Sequence, residues 1–151
     1  MLDDTDRRLL RYWQADPSLT PAELAAKAGG SAAQVTRRIA RLRDRGIVEG
    51  VEAAINWAAL GYTVEVSLRI TLDKTVPRAF DEFIVQARQV PHVLEIQTFL
   101  GRVDLRLKVI ARDMSDYQDI YRSQILNLPH IADIEALMHL VRTKSDPGLP
   151  L

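Results

Sequence analysis

The chain has 151 residues, of which 47% are apolar and 26% charged, with a formal net charge of zero and no cysteine. This length suits one ordinary domain or two small ones, and the apolar share is sufficient for packed cores. The lack of cysteine excludes disulfides and thiolate metal sites. No apolar run approaches the roughly 20 residues that cross a bilayer, and the opening residues MLDDTDRRLL contain no signal-peptide core. We therefore expect a cytoplasmic protein that does not associate with membranes.

Three helical patterns fill the first part of the chain. The first covers residues 4–15, a capping box beginning at Thr20 opens the second, and Ser31, with glutamine three residues later, opens the third. The pair Gly29-Gly30 separates the last two patterns. A helix, a tight turn and a second helix form the helix-turn-helix arrangement, whose second helix enters the DNA major groove.

Positive charge is concentrated on the third helix, since residues 31–45 hold five arginines and one acid. Arginine binds guanine bidentately and glutamine binds adenine in the same way, and each such pair discriminates by about 1–3 kcal/mol. A hydroxyl and the N–H groups at the helix start can hold phosphate. The alternative is a solvated basic face without a partner. We predict double-stranded DNA as the partner, contacted by Ser31, Gln34, Thr36, Arg37, Arg38 and Arg41.

The chain between the two main regions is less regular. Ile47, Val48 and Val51 suggest a short extended turn that forms a small wing. Residues 51–62 then have the character of a connector, because Asn56-Trp57 and Gly61 interrupt any regular pattern.

The second region has the order β-α-β-β-α-β. Strand patterns cover residues 63–72, 93–100, 103–111 and 133–142, and helical patterns cover residues 76–90 and the segment that begins at Asp113. In this ferredoxin-like order two helices cover one face of a four-stranded sheet. The other face carries Phe99, Ile110, Leu137 and Val141 among charged residues. A half-apolar face of this kind packs against a partner, and a second copy of the domain is the most economical one.

We therefore predict an α+β chain with four segments. They are a (winged) helix-turn-helix in residues 1–50, a connector in residues 51–62, a ferredoxin-like domain in residues 63–142 and an irregular tail in residues 143–151.

Motifs along nearly the whole chain occur in a familiar order. They are LDDTDRRLL in the first helix, SAAQVTRRIARLRDRGIVEG in the third, LGRVDLRLKVIARDMSDYQDIY around the third strand, and LNLPHIADIEALM at the last strand. In this order they resemble the Lrp/AsnC (leucine-responsive, feast/famine) family of bacterial and archaeal transcription regulators. The resemblance implies a ligand-sensing second domain, homodimers that pair through their sheets, and further assembly into octamers.

The resemblance also implies an effector site for an amino acid or related metabolite, between dimers near the turn of the second and third strands. The corresponding residues are Leu100, Gly101, Arg102, Val103, Asp104, Ile134 and Ala136. Two departures stand out: the family often has Gly-Asp at this turn, and often has hydroxyl side chains where this chain has isoleucine and alanine. An arginine at the turn suits a carboxylate-rich or otherwise anionic ligand. The alternative is a plain hairpin turn whose glycine supplies a positive φ.

The sequence offers little support for catalysis. It contains no visible Ser/His/Asp arrangement and no phosphate-cradling glycine loop, and His92, His130 and His139 lack metal-binding spacing. We therefore expect no catalytic residue, no metal and no cofactor. Two alternatives stay open: an enzyme resembling the sirohaem decarboxylases, which share the two-domain arrangement and act on a tetrapyrrole, and an architectural DNA-binding protein without an effector.

Overall fold

The computed structural model describes residues 2–145 and 148–151, which form two compact units. One unit comprises Met1–Ala54 with Lys144–Leu151, and the other comprises Ile55–Thr143. Residues 146–147 of the tail that was expected to be irregular lie outside the described residues, and its described part contains neither helix nor strand.

The first unit contains the three predicted helices, α1 (Asp4–Ala15), α2 (Pro21–Ala28) and α3 (Ala32–Asp44). Each helix begins with a capping box, in which the N-cap side chain and the side chain three residues later bond each other's backbone N–H groups. Their inward faces form one small core of Leu9, Leu24, Ala25, Ala28, Val35 and Leu42. These observations confirm the helix-turn-helix.

The turn between α2 and α3 depends on two glycines. Gly29 and Gly30 have φ values of +96° and +94°, a region that residues with a side chain rarely adopt. A Cβ atom at Gly30 would lie 2.7 Å from Oε1 of Gln34. Gly30 therefore combines an unusual backbone conformation with a close approach of the first turn of α3.

The predicted wing is wrong, because no strand lies between α3 and the second unit in the described chain. The N–H groups of Ile47 and Val48 both donate to the carbonyl oxygen of Leu42, at 2.9 and 3.3 Å. The chain therefore folds back on the end of α3 instead of extending. The segment 51–62 contains one short 3₁₀ turn, Ala58–Leu60.

The second unit is an antiparallel four-stranded sheet with helices on one face. Its strands lie in the order β2-β3-β1-β4, which together with the chain order confirms the ferredoxin-like arrangement. The last strand begins and ends earlier than predicted. The strands are β1 (Val64–Leu72), β2 (Val93–Thr98), β3 (Leu105–Ala111) and β4 (Ile131–Met138), and the helices are α4 (Ala79–Ala87) and α5 (Met114–Ile120), which continues as a π-helical turn, Tyr121–Ile125.

Alternation along β1 separates the two faces of this sheet. Val66, Leu68 and Ile70 are fully buried against the helices, and burying one such side chain contributes about 1.5–3 kcal/mol. From α4, Phe83 enters the same core, whereas Phe80 is 40% exposed. Ala79, Phe83 and Ala87 are the buried residues of α4, and Phe80 lies about 60° around the helix from Phe83, at the edge of that face.

No helix among the described residues is long and apolar enough to cross a membrane.

Candidate functional site

The start of α3 is held by its own side chains. The Ser31 N–H donates to Oε1 of Gln34 at 2.9 Å, and the Gln34 N–H donates to Oγ of Ser31 at 3.3 Å. The hydroxyl of Thr36 donates to the carbonyl oxygen of Ala32 at 2.9 Å. These predicted DNA contacts all lie on the surface, and the Gln34 amide nitrogen is still available as a donor.

Arg37 has a different environment from its two neighbouring arginines. It is exposed, and it makes no ion pair with any residue that the structure describes. Arg43 is engaged elsewhere, since its guanidinium carbon lies 5.7 Å from the centre of the Trp13 ring. Of the arginines on α3, Arg37 is therefore well placed for a bidentate contact with a base.

Arg38 and Arg41 are held by acids of the first helix. Nη1 of Arg38 lies 2.6 Å from Asp3 and 2.7 Å from Asp6, and Nη2 of Arg41 lies 2.8 Å from Asp6. The Asp6 side chain is only 1% exposed, whereas those of Arg38 and Arg41 are 28% and 50% exposed. A buried carboxylate thus fixes two guanidinium groups whose outer edges face solvent.

The electrostatics of this group follow from the same contacts. The hydrogen bond from Arg38, with a second from the Asp6 N–H, holds the pKa of Asp3 below its ordinary value. The hydrogen bonds to Asp3 and Asp6 raise the pKa of Arg38. We call Asp3, Asp6, Arg38 and Arg41 the ionic cluster of the helical unit. It was not anticipated, because its partners lie more than thirty residues apart in the chain.

The loop between β2 and β3 holds most of the residues assigned to the effector site. It is fixed at both ends, because the Phe99 N–H donates to the carbonyl oxygen of Asp104 and the Asp104 N–H donates to that of Ile70, both at 2.9 Å. The Thr71 hydroxyl donates to the carbonyl oxygen of Arg102 at 3.1 Å. The side chains of Leu100 and Arg102 are exposed at its tip.

Asp104 points away from this exposed tip. Its carboxylate accepts a hydrogen bond from the Leu72 N–H at 2.8 Å and another from the ammonium group of Lys74, and the residue is 6% exposed. The contact with Lys74, followed by that with Leu72, lowers the pKa of Asp104. This carboxylate therefore braces the loop against β1.

The remaining effector candidates lie on either side of β1. Gly101 lacks a positive φ. The alternative interpretation, a plain hairpin turn in which this glycine supplies a positive φ, is therefore wrong. Val103 is half-buried. Ile134 and Ala136 of β4 pair with Ile70 and Leu68, so β1 separates them from the loop within one sheet.

The sheet face that the helices do not cover, which we call the open sheet face, carries a side-chain cluster that the sequence did not predict. Nε2 of His139 lies 2.9 Å from Oγ of Ser67, and its Nδ1 lies 3.2 Å from Glu65. The connectivity is that of a Ser-His-acid triad. However, Ser67 is only 7% exposed, so a substrate cannot reach its hydroxyl. Because β1 pairs with a strand on each side, its backbone N–H groups bond the neighbouring strands and are not available to stabilise an oxyanion. Glu65 also contacts Arg142 at 3.0 Å and Lys108 at 3.3 Å, which makes the cluster a polar brace.

Among the described residues, no group of three or more His, Cys, Asp or Glu side chains is arranged to hold a metal.

Comparison with known proteins assigns both units. Residues 2–43 match the AsnC-type helix-turn-helix domain, and residues 65–149 match the Lrp/AsnC ligand binding domain. The chain belongs to the Lrp/AsnC family. It is a DNA-binding transcriptional regulator of the α+β architecture that this family shares.

Relatives of the Lrp/AsnC family match the full chain. The proline dehydrogenase transcriptional activator of Rhodobacter capsulatus is 30% identical over 99% of this chain and 98% of its own. A Neisseria meningitidis transcriptional regulator, solved as an L-Met complex, has a TM-score of 0.92 and 25% identity, covering 99% of this chain and 97% of its own. The feast or famine regulatory protein of M. tuberculosis, complexed with L-methionine, has a TM-score of 0.86 and 30% identity, covering 97% of each chain.

Proposed function

We propose that the protein regulates transcription as a homodimer that binds a specific DNA sequence through α3. The observation that carries this proposal is Arg37, an exposed arginine without a carboxylate partner in the described chain, on a helix that a glycine turn and a capping box hold in place. Gln34 lies one turn before it on the same side of α3. We assign base contacts to these two residues and phosphate contacts to Ser31, Thr36, Arg38 and Arg41. A DNA-binding role implies that the protein acts in the cytoplasm, and regulation, not catalysis, is its activity.

The substitution Arg37→Ala tests the assignment of base contacts. On an operator selected from a random duplex pool, we expect the affinity to fall about 10- to 100-fold, because one bidentate contact discriminates by about 1–3 kcal/mol. On a scrambled duplex the loss should be much smaller. Arg122→Ala is the matched control, since this exposed arginine lies in the other unit. Unchanged affinity and salt dependence in Arg37→Ala would show that α3 does not enter the groove as proposed.

A second copy of the chain is the partner that we assign to the open sheet face. This face carries Leu137 and Phe99, which are 36% and 44% exposed, and Ile110, which is 8% exposed. Charged residues of both signs surround them, so the face is complementary to itself under a two-fold axis. A dimer of this kind places two copies of α3 on one DNA molecule.

We propose an amino acid or related metabolite as the effector, bound at the loop between β2 and β3. The neighbouring structures with L-methionine support this class of ligand. In this chain, Asp104 is engaged with Lys74, whereas the Arg102 guanidinium has no acidic partner among the described residues. Arg102 is therefore available for a ligand carboxylate. The effector contacts that we propose on this loop are Leu100, Gly101, Arg102 and Val103, with Asp104 holding the loop in place. Ile134 and Ala136, which β1 separates from the loop within one chain, are proposed to contribute from another copy, at a site between dimers.

Isothermal titration with L-methionine and L-glutamate tests this effector assignment. We expect one of the two to bind, and Arg102→Ala to weaken that binding at least about tenfold, because a charge-assisted contact to the carboxylate is lost. Arg88→Ala, which removes an exposed arginine of the same unit, should bind as the unchanged protein does. Equal affinity in Arg102→Ala would refute the assigned role, and binding of neither amino acid would favour the effector-independent alternative.

A further inference from the structure

The helical unit contains a basic groove between α1 and α3. Its volume is about 500 Å³, and it opens beside the turn between α2 and α3. We call it the arginine groove, and its walls include Thr5, Arg8, Gly29, Gly30, Arg37 and Arg41. Pockets of this size that bind organic molecules are predominantly apolar. Four arginines around a single groove point instead to an anionic ligand.

Positive charge is only partly neutralised in the arginine groove. Four arginines line it, and two of them, Arg38 and Arg41, share the carboxylates of Asp3 and Asp6. The other two, Arg8 and Arg37, have no acidic partner among the described residues. Arg8 makes only a long contact of 3.5 Å with the Thr5 hydroxyl, which is at the limit of a hydrogen bond. Two positive charges therefore remain available.

The ionic cluster prepares one wall of this groove for an anion. Nη2 of Arg41 contacts both oxygens of Asp6, at 2.9 and 2.8 Å. Its Nη1 and Nε have no partner in the described chain. Because Asp6 already orders the Arg41 side chain, little further rotamer freedom of Arg41 is lost when an anion binds. Guanidinium groups in a fixed position are well suited to phosphate.

We propose that the arginine groove seats a DNA phosphate, held by Arg8 from α1 and Arg41 from α3. The inference rests on the proposed function, because the groove shares Arg37 with the surface assigned to base contacts, so a duplex on that surface brings its backbone to Arg8. The end of α2 and the turn that follows it, Ala28 to Gly30, line the same groove, and in helix-turn-helix proteins the helix that precedes the recognition helix, here α2, crosses the DNA backbone. The contact carries no sequence information; it fixes how the helical unit lies on the duplex.

The proposal is tested by Arg8→Ala, with Arg7→Ala as the matched control. Both residues are exposed on α1, both changes remove one charge, and Arg7 does not line the groove. We expect Arg8→Ala to weaken binding to a selected operator and to a scrambled duplex by a similar factor, roughly tenfold. The slope of log affinity against log salt should fall by about 0.9, the value for one phosphate contact on B-DNA. Arg7→Ala should change both quantities much less.

The outcomes separate this inference from the proposed function. If Arg8→Ala matches Arg7→Ala while Arg37→Ala still loses operator affinity, the phosphate assignment is wrong and the proposed function stands. If Arg37→Ala also has no effect, the proposed function fails as well. A loss confined to the operator would mean that Arg8 contacts bases. The last experiment adds inorganic phosphate without DNA. If phosphate raises the melting temperature of the unchanged protein but not that of Arg8→Ala, the groove binds a free anion and the assignment to a DNA phosphate is wrong.

Discussion

Asp6 is the residue on which the geometry of the helical unit depends most. Its side chain is almost fully buried, and two arginines of α3 contact its carboxylate from the solvent side. Removing one partner of a buried ion pair leaves the other charge without compensation. Here the arginines are partly exposed and can regain water, which reduces the cost.

We predict that Asp6→Ala lowers the free energy of unfolding by about 1–3 kcal/mol. Asp4→Ala, which removes an exposed acid of the same helix turn, should change it by less than about 0.5 kcal/mol. Urea denaturation of both variants measures the difference. Equal stability of the two variants would show that the ionic cluster does not hold α3 against α1.

Asp104 makes the stability of the second unit depend on pH. Its native pKa is lowered by Lys74 and the Leu72 N–H, so its stabilising effect is complete above the unfolded pKa of about 3.9 and disappears as pH falls through the native value. We predict that Asp104→Asn costs about 0.5–1 kcal/mol near neutral pH, because Lys74 is largely exposed and the interaction is screened.

The difference between Asp104→Asn and the unchanged protein should narrow as the pH falls below about 4. Urea denaturation across this pH range measures it, with Asp133→Asn, at an exposed position in β4, as the control. A difference that is constant with pH would show that the variant acts through packing and not through the charge of Asp104.

Pairs of this kind could not be predicted from the sequence. The arginines of α3 were recognised from local charge, but the contacts of Asp6 with Arg38, of Asp104 with Lys74 and of His139 with Ser67 span 30 or more residues. Such contacts depend on how elements pack, and no local pattern encodes that packing. The sequence predicted only DNA contacts for Arg37, Arg38 and Arg41. This prediction was incomplete, because Arg38 and Arg41 also pair with acids of α1.

At the scale of elements, the turn between α2 and α3 determines how the DNA-contacting helix begins. Gly30 has a left-handed backbone, and any Cβ there would meet the Gln34 oxygen that accepts the Ser31 N–H. The turn and the capping box are therefore coupled through a single position.

We predict that Gly30→Ala destabilises the helical unit by about 2 kcal/mol, through strain at positive φ and loss of the capping contact. Gly50→Ala is the control, because its Cβ would meet no atom within 4 Å. Thermal unfolding followed by circular dichroism compares the two. If Gly30→Ala melts at the same temperature as Gly50→Ala, the proposed coupling is wrong.

Elements with local signals were predicted more accurately than those without. The capping boxes at Thr20 and Ser31 identified the starts of α2 and α3, the apolar spacing over residues 4–15 identified α1, and the strict alternation over residues 64–72 identified β1. The predicted wing is absent because the N–H groups of Ile47 and Val48 bond the carbonyl oxygen of Leu42. This is a local C-terminal cap that follows the positive-φ residue Gly46, and the apolar pattern alone does not specify it. The end of β4 was predicted too late because the apolar residues Leu140 and Val141 follow Met138, the last paired residue.

At the scale of the whole molecule, we assign DNA binding to the helical unit, and dimerisation and effector binding to the second unit. The helical unit carries the DNA-contacting helix and the arginine groove, and the second unit carries the open sheet face and the loop of Arg102. A homodimer formed through the open face would present two copies of α3, so the binding site should contain two related half-sites.

Hydroxyl-radical footprinting on a selected operator tests this central claim most directly. The account predicts two protected patches on one side of the duplex, with centres about 10–10.5 bp or a multiple of this distance apart. Arg37→Ala should remove both patches together, because the two copies are identical. A single protected patch, or no protection at concentrations where the protein binds, would contradict the dimeric DNA-binding regulator described above.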